Sequence, residues 1–478
     1  MKKNILIIGF GRHARRIYYD LLKQNKERYD FLIVDLKSEH ININDFFKNK
    51  DYLPLESFLI DFPKSPYKIR KNYAKKLNKL VKKYSIRGVI ISTEPKYHVI
   101  YARWALKNNI SILMDKPISA HKNMSTKISQ AKKLLEDYRI LERLYKKRKG
   151  ILFSIVSQRR FHSGFQKVRE LIKEVYEKTK CPITSIQICH SDGQWRFPSE
   201  IIDINYHSYN QGYGKCSHSG YHFLDILQFL IGVSDNDDKT IDNIEVISNF
   251  SRPLDFLSQI SLSDYKNIFP SFDKYNKYSW EDYKKIMKNY GEIDAFIDIN
   301  LRKKKRIITL CSLNLLHNSF SQRGKLLPNK DLYKGNGRIR HESYIIQQGP
   351  FQCVYINSLQ SKEVDEDKEP DYSIGGEYNF DIHIFRNDKL FKTWKNYENI
   401  SIHDLEKNAG SGKSRGHQEE ARRKATMEFL SFLENGKKNG NLSDFLSHKH
   451  SVQIMYAIYM SAIKKFKNKN PLFRMKYD

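Results

Sequence analysis

Short apolar runs punctuate the first part of the chain: Asn4–Ile8, Phe31–Val34, Gly88–Ser92 and Ser111–Met114. None alternates with polar residues, which is the pattern of strands buried on both faces of a parallel sheet. Between them lie segments of helical spacing. Ile17, Leu21 and Leu22 form one; Tyr73, Leu77, Leu80, Val81 and Tyr84 form another; a third runs from Ala102 to Lys107. Strands alternating with helices predict an α/β unit with a doubly wound parallel sheet. The last run stops abruptly at Asp115-Lys116-Pro117. Ligands bind outside the carboxyl ends of such strands, so Lys116 stands out among many lysines whose plain reading is a solvated loop residue.

Further on, the segment from Ser119 to about Arg143 reads as a connector helix, and the basic stretch Lys146–Gly150 marks a boundary. This predicts two domains, 1–148 and 149–478. A strand from Ile151 that ends at Gln158-Arg159-Arg160-Phe161 opens the second. In the stretch His218-Ser219-Gly220-Tyr221-His222-Phe223-Leu224-Asp225, the two histidines and the aspartate fall at i, i+4 and i+7, one face of a helix. That face is a site candidate, or a pair of satisfied structural histidines. A divalent metal would also suit the spacing, although no glutamate follows His218 as in HExxH proteases. The cluster Gly335–Glu342 reads equally as a polar loop at a substrate mouth or as ordinary surface, and Lys362–Asp371 as a charged connection. Two helices, from Gly416 through Leu430 and around Val452–Ile458, close the chain.

The first strand leads into Gly9-Phe10-Gly11-Arg12-His13-Ala14 and then a helix. Glycines serve there because the turn is tight and the backbone approaches a pyrophosphate at the helix N-terminus. Asp35 ends the second strand about 20 residues on, the spacing at which a carboxylate receives a ribose diol. A carboxylate there repels a 2′-phosphate, which favours NAD over NADP; Lys37 is the counter-indication.

These residues, with Thr93-Glu94-Pro95-Lys96-Tyr97-His98 and Asp115-Lys116-Pro117, resemble the Gfo/Idh/MocA family, named for glucose-fructose oxidoreductase and inositol dehydrogenase. Asp115 stands where the family usually has glutamate. The resemblance implies an N-terminal Rossmann domain followed by an α+β domain with an open, largely antiparallel sheet and helices on one face. It implies a coenzyme set of Gly9, Phe10, Gly11, Arg12, His13, Asp35, Thr93, His98 and Lys116. Lys116 would hold a developing alkoxide and His222 act as general acid/base, with His218 as its modifier. Arg159, Arg160 and Asp225 are substrate-contact candidates. His218 occupies the place of a family aspartate, a departure that bears on the usual proton relay. Residues 261–342 carry material beyond the common pattern.

The implied activity is hydride transfer between NAD and a secondary alcohol or ketone of a sugar, sugar-nucleotide or cyclitol. An NAD-requiring glycosidase on the same scaffold and a non-catalytic dinucleotide-dependent regulator are the alternatives. A homo-oligomer, dimer or tetramer, through the C-terminal sheet goes with the family.

Composition changes this picture little. Of 478 residues, 40% are hydrophobic and 13% aromatic, enough for more than one packed core. The 84 Lys and Arg against 54 Asp and Glu give a formal charge of +30. The basic residues are dispersed, and the densest run, Lys64–Arg87, carries an amphipathic helical pattern with a solvated basic face. No nucleic-acid module accompanies it, so nucleic acid is not the expected partner; an anionic small molecule is. Five cysteines without a CxxC pair indicate neither a disulfide framework nor a zinc site. No apolar run approaches the ~20 residues of a membrane helix, and no signal peptide is read at the start. The expected location is the cytoplasm, without a metal or membrane partner.

Overall fold

A computed structural model describes residues 2–63, 65, 67–204, 207–234, 239–323, 337–361, 371–408, 416–438 and 440–477. Gly335, Asn336 and most of the Lys362–Asp371 connection lie outside the described residues. The chain divides into two compact units, the first made of 1–120, 134–161 and 418–452, the second of 121–133, 162–417 and 453–478.

The first unit is built on a six-stranded sheet. Its strands are β1 (Lys3–Ile8), β2 (Tyr29–Leu36), β3 (Ser57–Ile60), β4 (Gly88–Ile91), β5 (Ser111–Asp115) and β6 (Phe153–Val156). They pair in the order β3-β2-β1-β4-β5-β6, and every pair is parallel. Ile5–Ile8, Phe31–Val34, Val89–Ile91 and Ile112–Met114 are buried, which is why each reads as an unbroken apolar run. The order reverses between β1 and β4, so the crevice at a topological switch point opens outside their carboxyl ends. The helix Lys71–Lys83 buries Tyr73, Leu77 and Leu80 and turns most of its lysines outward, the expected amphipathic division.

Two assignments are corrected here. The strand after Gly150, expected to open the second domain, pairs parallel with β5 and completes the first sheet. Residues 418–452 also return to the first unit: Phe429, Leu430 and Phe432 pack into its core, and Ser443 Oγ donates to the Ile155 carbonyl at 2.6 Å. A single boundary at 148/149 is therefore replaced by a chain that passes between the units several times. The physical reason is that a strand's apolar run specifies burial and not a partner, and a late helix buries its stripe wherever a complementary face is open.

The second unit holds a nine-stranded sheet of β7 (Ser185–Gly193), β8 (Asn243–Ser251), β9 (Asp294–Lys303), β10 (Arg306–Leu316), β11 (Ile339–Gln348), β12 (Gln352–Gln360), β13 (Asp381–Arg386), β14 (Tyr397–Ser401) and β15 (Phe473–Lys476). The order is β14-β13-β12-β11-β7-β10-β9-β8-β15, antiparallel except for β10 against β7. One face is covered: Phe165, from the helix Ser163–Thr179, and Phe223, from the helix Tyr221–Ile231, both rest on Tyr344 of β11. The other face leaves Ile247, Phe296, Leu310, Phe385 and Tyr397 exposed. Residues 261–316 contribute β9 and β10, whose hairpin tip is the basic run Arg302–Arg306. They also contribute the helices Leu262–Ile268, Phe272–Tyr275 and Trp280–Met287. Among the described residues no helix is long and apolar enough to cross a membrane.

Candidate functional site

The turn after β1 is tight for a steric reason. Gly9 has φ +89°, and a Cβ there would lie 2.4 Å from the Ser92 carbonyl oxygen at the end of β4. Gly11 differs: a Cβ would meet no atom within 4 Å, so this backbone faces open space at the head of the helix that begins at Arg12. That is the cradle a pyrophosphate requires, with helix amides directed at it. The Phe10 side chain is fully buried among Tyr19, Phe31, Phe46 and Phe47, so only its backbone belongs to the site. Its amide donates to Asp35 Oδ2 at 2.6 Å, and Leu36 N donates to Asp35 Oδ1 at 2.7 Å.

Asp35 keeps further lone pairs for a diol, and burial raises its pKa although both backbone bonds oppose the shift. Lys37, the counter-indication, is turned to Asp61 at 3.0 Å. Arg12 is exposed at the start of the helix.

Asp115 and Lys116 follow β5. Asp115 accepts hydrogen bonds from Tyr18 and, at 2.6 Å, from Ser92, and it lies 3.6 Å from His13 Nε2. Burial alone would raise its pKa; His13, Ser92 and Tyr18 outweigh it and hold the carboxyl far below the ordinary range. His13 thus serves Asp115. The Lys116–Pro117 peptide is cis. His98 is fully buried, with Nδ1 2.8 Å from the Pro117 carbonyl and Nε2 2.9 Å from the Thr93 carbonyl, and burial lowers its pKa. It ties the Thr93 turn to the Lys116–Pro117 loop through backbone rather than presenting a side chain to solvent. Arg160 is likewise committed, to the Leu442 carbonyl at 2.9 Å and Ser447 Oγ at 2.6 Å. Arg159 is buried beside it.

In the second unit, His222 and Asp225 are buried on the helix Tyr221–Ile231, but His218 sits in a preceding π-helical turn, Cys216–Gly220. The ideal i, i+4, i+7 alignment is interrupted there. Gly220 permits the wider turn: a Cβ would lie 2.7 Å from the Lys215 carbonyl oxygen and 3.0 Å from Leu315 Cδ1. His218 stacks on His207, ring centroids 4.8 Å apart, with Tyr209 and Tyr213 beside it.

A buried polar cluster lies on this sheet, and sequence reasoning passed over it. Along β7 the covered positions run Ile186, Ile188, His190, Asp192, changing from apolar to ionisable while the alternation continues. Along β10 and one residue past it, Leu313, Leu315 and His317 do the same. Lys215 Nζ lies 3.0 Å from His190 Nδ1; Arg338 forks onto Asp192; Tyr209 Oη lies 2.7 Å from His317 Nδ1. Polar residues at inward positions of consecutive strand ends were the available signal. Among the described residues no three His, Cys, Asp or Glu form a group that could hold a metal ion.

Comparison with known proteins agrees with the first unit's geometry. Residues 3–139 match a family model, GFO_IDH_MocA, described as an oxidoreductase family with an NAD-binding Rossmann fold. Among solved structures, the WlbA dehydrogenase from Bordetella pertussis, crystallised with NADH and UDP-GlcNAcA, superposes with a TM-score of 0.55 at 12% identity, covering 100% of this chain and 98% of that one. An oxidoreductase from Agrobacterium radiobacter, crystallised with NAD+, L-tartaric acid and magnesium, gives 0.56 at 12% identity over 100% and 98%. A Kribbella flavida oxidoreductase domain protein gives 0.57 at 12% over 100% and 99%. These identities bear on fold alone. No curated protein sequence matches.

Proposed function

From a chain that carries the NAD-binding Rossmann domain of the Gfo/Idh/MocA oxidoreductases across residues 3–139, we propose an enzyme that moves hydride between NAD and a secondary alcohol or ketone of an anionic, sugar-like substrate. The observation that carries this reading is the lysine loop after β5, one strand beyond the switch point. Asp115 is locked by three side chains and Lys116 follows directly, with only β4 between its strand and β1, whose glycine turn is bonded to Asp35 through the Phe10 amide.

NAD, when bound, supplies the hydride acceptor. The Gly9–His13 backbone would take its pyrophosphate and Asp35 its ribose diol, which supports NAD over NADP because Lys37 is engaged by Asp61. A carbinol carbon releases hydride only as its hydroxyl proton is removed. In this reading His222 takes that proton, His218 modifies it, and Lys116 holds the alkoxide charge. Asp225 and Arg159 are the remaining substrate-contact candidates; Thr93 would border the nicotinamide end, and His98 orients the loop.

The formal charge of +30 supports an anionic substrate, and the Bordetella relative's complex with UDP-GlcNAcA supports the sugar-nucleotide class. The apolar side chains on the open face of the second sheet support a homo-oligomer formed there. All five cysteines are free thiols, which supports a reducing compartment such as the cytoplasm. Titration calorimetry with NADH and NADPH, followed by reduction of NAD on a panel of UDP-sugar acids and free sugar acids, tests the proposal. No coenzyme binding, or tighter NADPH binding, would overturn it.

A further inference from the structure

Lys215 is fully buried immediately before the π-helical turn that carries His218. Its backbone amide donates to the Glu292 carbonyl at 2.9 Å, and the next amide, of Cys216, donates to Glu292 Oε1 at 3.0 Å. The side chain runs to the sheet and ends on His190. A lysine is an expensive residue to place there, since burying an ammonium costs far more than burying an alkyl chain. Nothing in the proposed hydride transfer uses it.

Six titratable or charged groups lie around it: His190 and Asp192 from β7, Asp294 from β9, His317 from the end of β10, Arg338 from the approach to β11, and Cys216 from its own turn; Cys189 of β7 alternates to the opposite face of the sheet. Asp192 is held by Arg338, with Arg340 3.9 Å away; burial would raise its carboxyl, but Arg338 and Lys215 outweigh it and keep it far below the ordinary range. His317 Nε2 lies 3.8 Å from Asp192, and Tyr209 donates to His317 Nδ1 when that nitrogen is unprotonated. The Tyr209 ring then stands against His218, centroids 6.1 Å apart.

We propose that Lys215 is a positioning residue for His218: its buried side chain keeps His317 as the acceptor that fixes Tyr209 against that histidine. This rests on the reading of His218 as part of the acid–base pair. The logic is competition for one proton. Asp192 would draw a proton onto His317; Lys215 and Arg338 oppose it, and burial with these cations keeps His317 well below its ordinary pKa. Burial pushes Lys215 down to about 7, so the amine charges in the range where an imidazole otherwise would. The proton that the cluster gains on acidification goes to Lys215, and His317 remains neutral. A protonated His317 would carry N–H on both ring nitrogens, and Tyr209 could no longer donate to it.

The test is histidine 13Cε1 NMR on the full-length protein, recorded from pH 5 to pH 8.5, for wild type, Lys215→Met, Lys215→Arg and Tyr209→Phe. In wild type the His317 resonance should not titrate. In Lys215→Met it should titrate with a midpoint raised at least tenfold in proton affinity, and the His218 resonance should move at the same midpoint. Lys215→Arg should restore the silent His317. A folded Lys215→Met whose His317 stays silent would overturn the proposal, because a lysine that merely fills space predicts that result. If Lys215→Met does not fold, Lys215→Gln is read in its place with the same two outcomes; a His218 resonance that Tyr209→Phe leaves unchanged from wild type also overturns the proposal. Calorimetry with NADH on the same wild-type sample reads the proposed function separately, since its failure leaves the NMR outcomes intact.

Discussion

His13 Nε2 stands 3.6 Å from a carboxylate oxygen of Asp115, whose other oxygen accepts from Ser92 at 2.6 Å. One side chain thereby joins the helix after β1, the end of β4 and the end of β5, immediately before Lys116. The locked acid is what gives the neighbouring lysine a fixed base to project from.

That bond network has a pH signature. Because the folded pKa of Asp115 is depressed, the unfolded state binds more protons in acid, and the stabilisation is present above the unfolded value of about 3.9 and lost as pH falls through the folded one. Asp115→Asn should destabilise by on the order of 2–3 kcal/mol at pH 7, with the deficit shrinking below about pH 4. Urea midpoints between pH 7 and pH 2.5 check this; a deficit that is constant in pH would sink it.

The two glycines of one motif should fail in different ways. Gly9→Ala combines φ +89° with a Cβ 2.4 Å from Ser92 O, and should cost on the order of 3 kcal/mol or prevent folding. Gly11→Ala meets open space and should leave the thermal midpoint within a few degrees while weakening NADH binding at least tenfold. Thermal unfolding and calorimetry on both variants separate the two roles.

Asp35→Ser should lower NADH affinity by about 1–2 kcal/mol and narrow the preference over NADPH, since the shorter hydroxyl receives a diol poorly and repels no phosphate. The Phe10 amide also loses its acceptor, so a modest fall in stability should accompany the change. Unaltered coenzyme preference would remove Asp35 from the ribose site.

Lys116→Met retains the apolar stem and removes the charge. Single-turnover NAD reduction with the best substrate from the panel should fall at least 100-fold, while NADH affinity stays within a few-fold and the fold is unchanged. Wild-type turnover in this variant would return Lys116 to a solvated loop residue and favour a non-catalytic dinucleotide-dependent regulator.

Glu428 offers a test away from the coenzyme. Burial raises its pKa to about 7, and Oε1 accepts from Leu442 N at 3.1 Å. A raised carboxyl pKa makes the folded state hold the proton longer, so stability falls as pH rises from the unfolded value toward and past 7. Glu428→Gln, which keeps the acceptor, should stabilise at pH 8 by on the order of 1–2 kcal/mol and match wild type near pH 4.5. Equal midpoints at pH 8 would show that Glu428 ionises freely in the folded protein.

Periodicity determined much of this protein without help from tertiary structure. Unalternating apolar runs specify buried parallel strands, and glycines at a strand-to-helix turn specify a close backbone approach, so β1, β2, β4, β5, the Gly9–Gly11 turn and the charged end at Asp115-Lys116 were legible as local signals. Pairing was not local. Phe153–Val156 carries the same apolar signature whichever sheet receives it, and only β5 lying open beside it decided the matter. Roles assigned by motif shifted for the same reason: His13 and His98 stand where a coenzyme motif has them, yet one serves Asp115 and the other two backbone carbonyls. The π turn at Cys216–Gly220 depends on how closely Gly220 approaches Leu315, a contact between residues far apart in the chain. The cluster of Lys215, His190, Asp192, His317 and Arg338 is assembled from a helix head and three strand ends, each charge tolerable only because another element brings its partner. Local periodicity records which way a side chain faces; long-range packing alone decides what it meets, and for buried charge that meeting sets the chemistry.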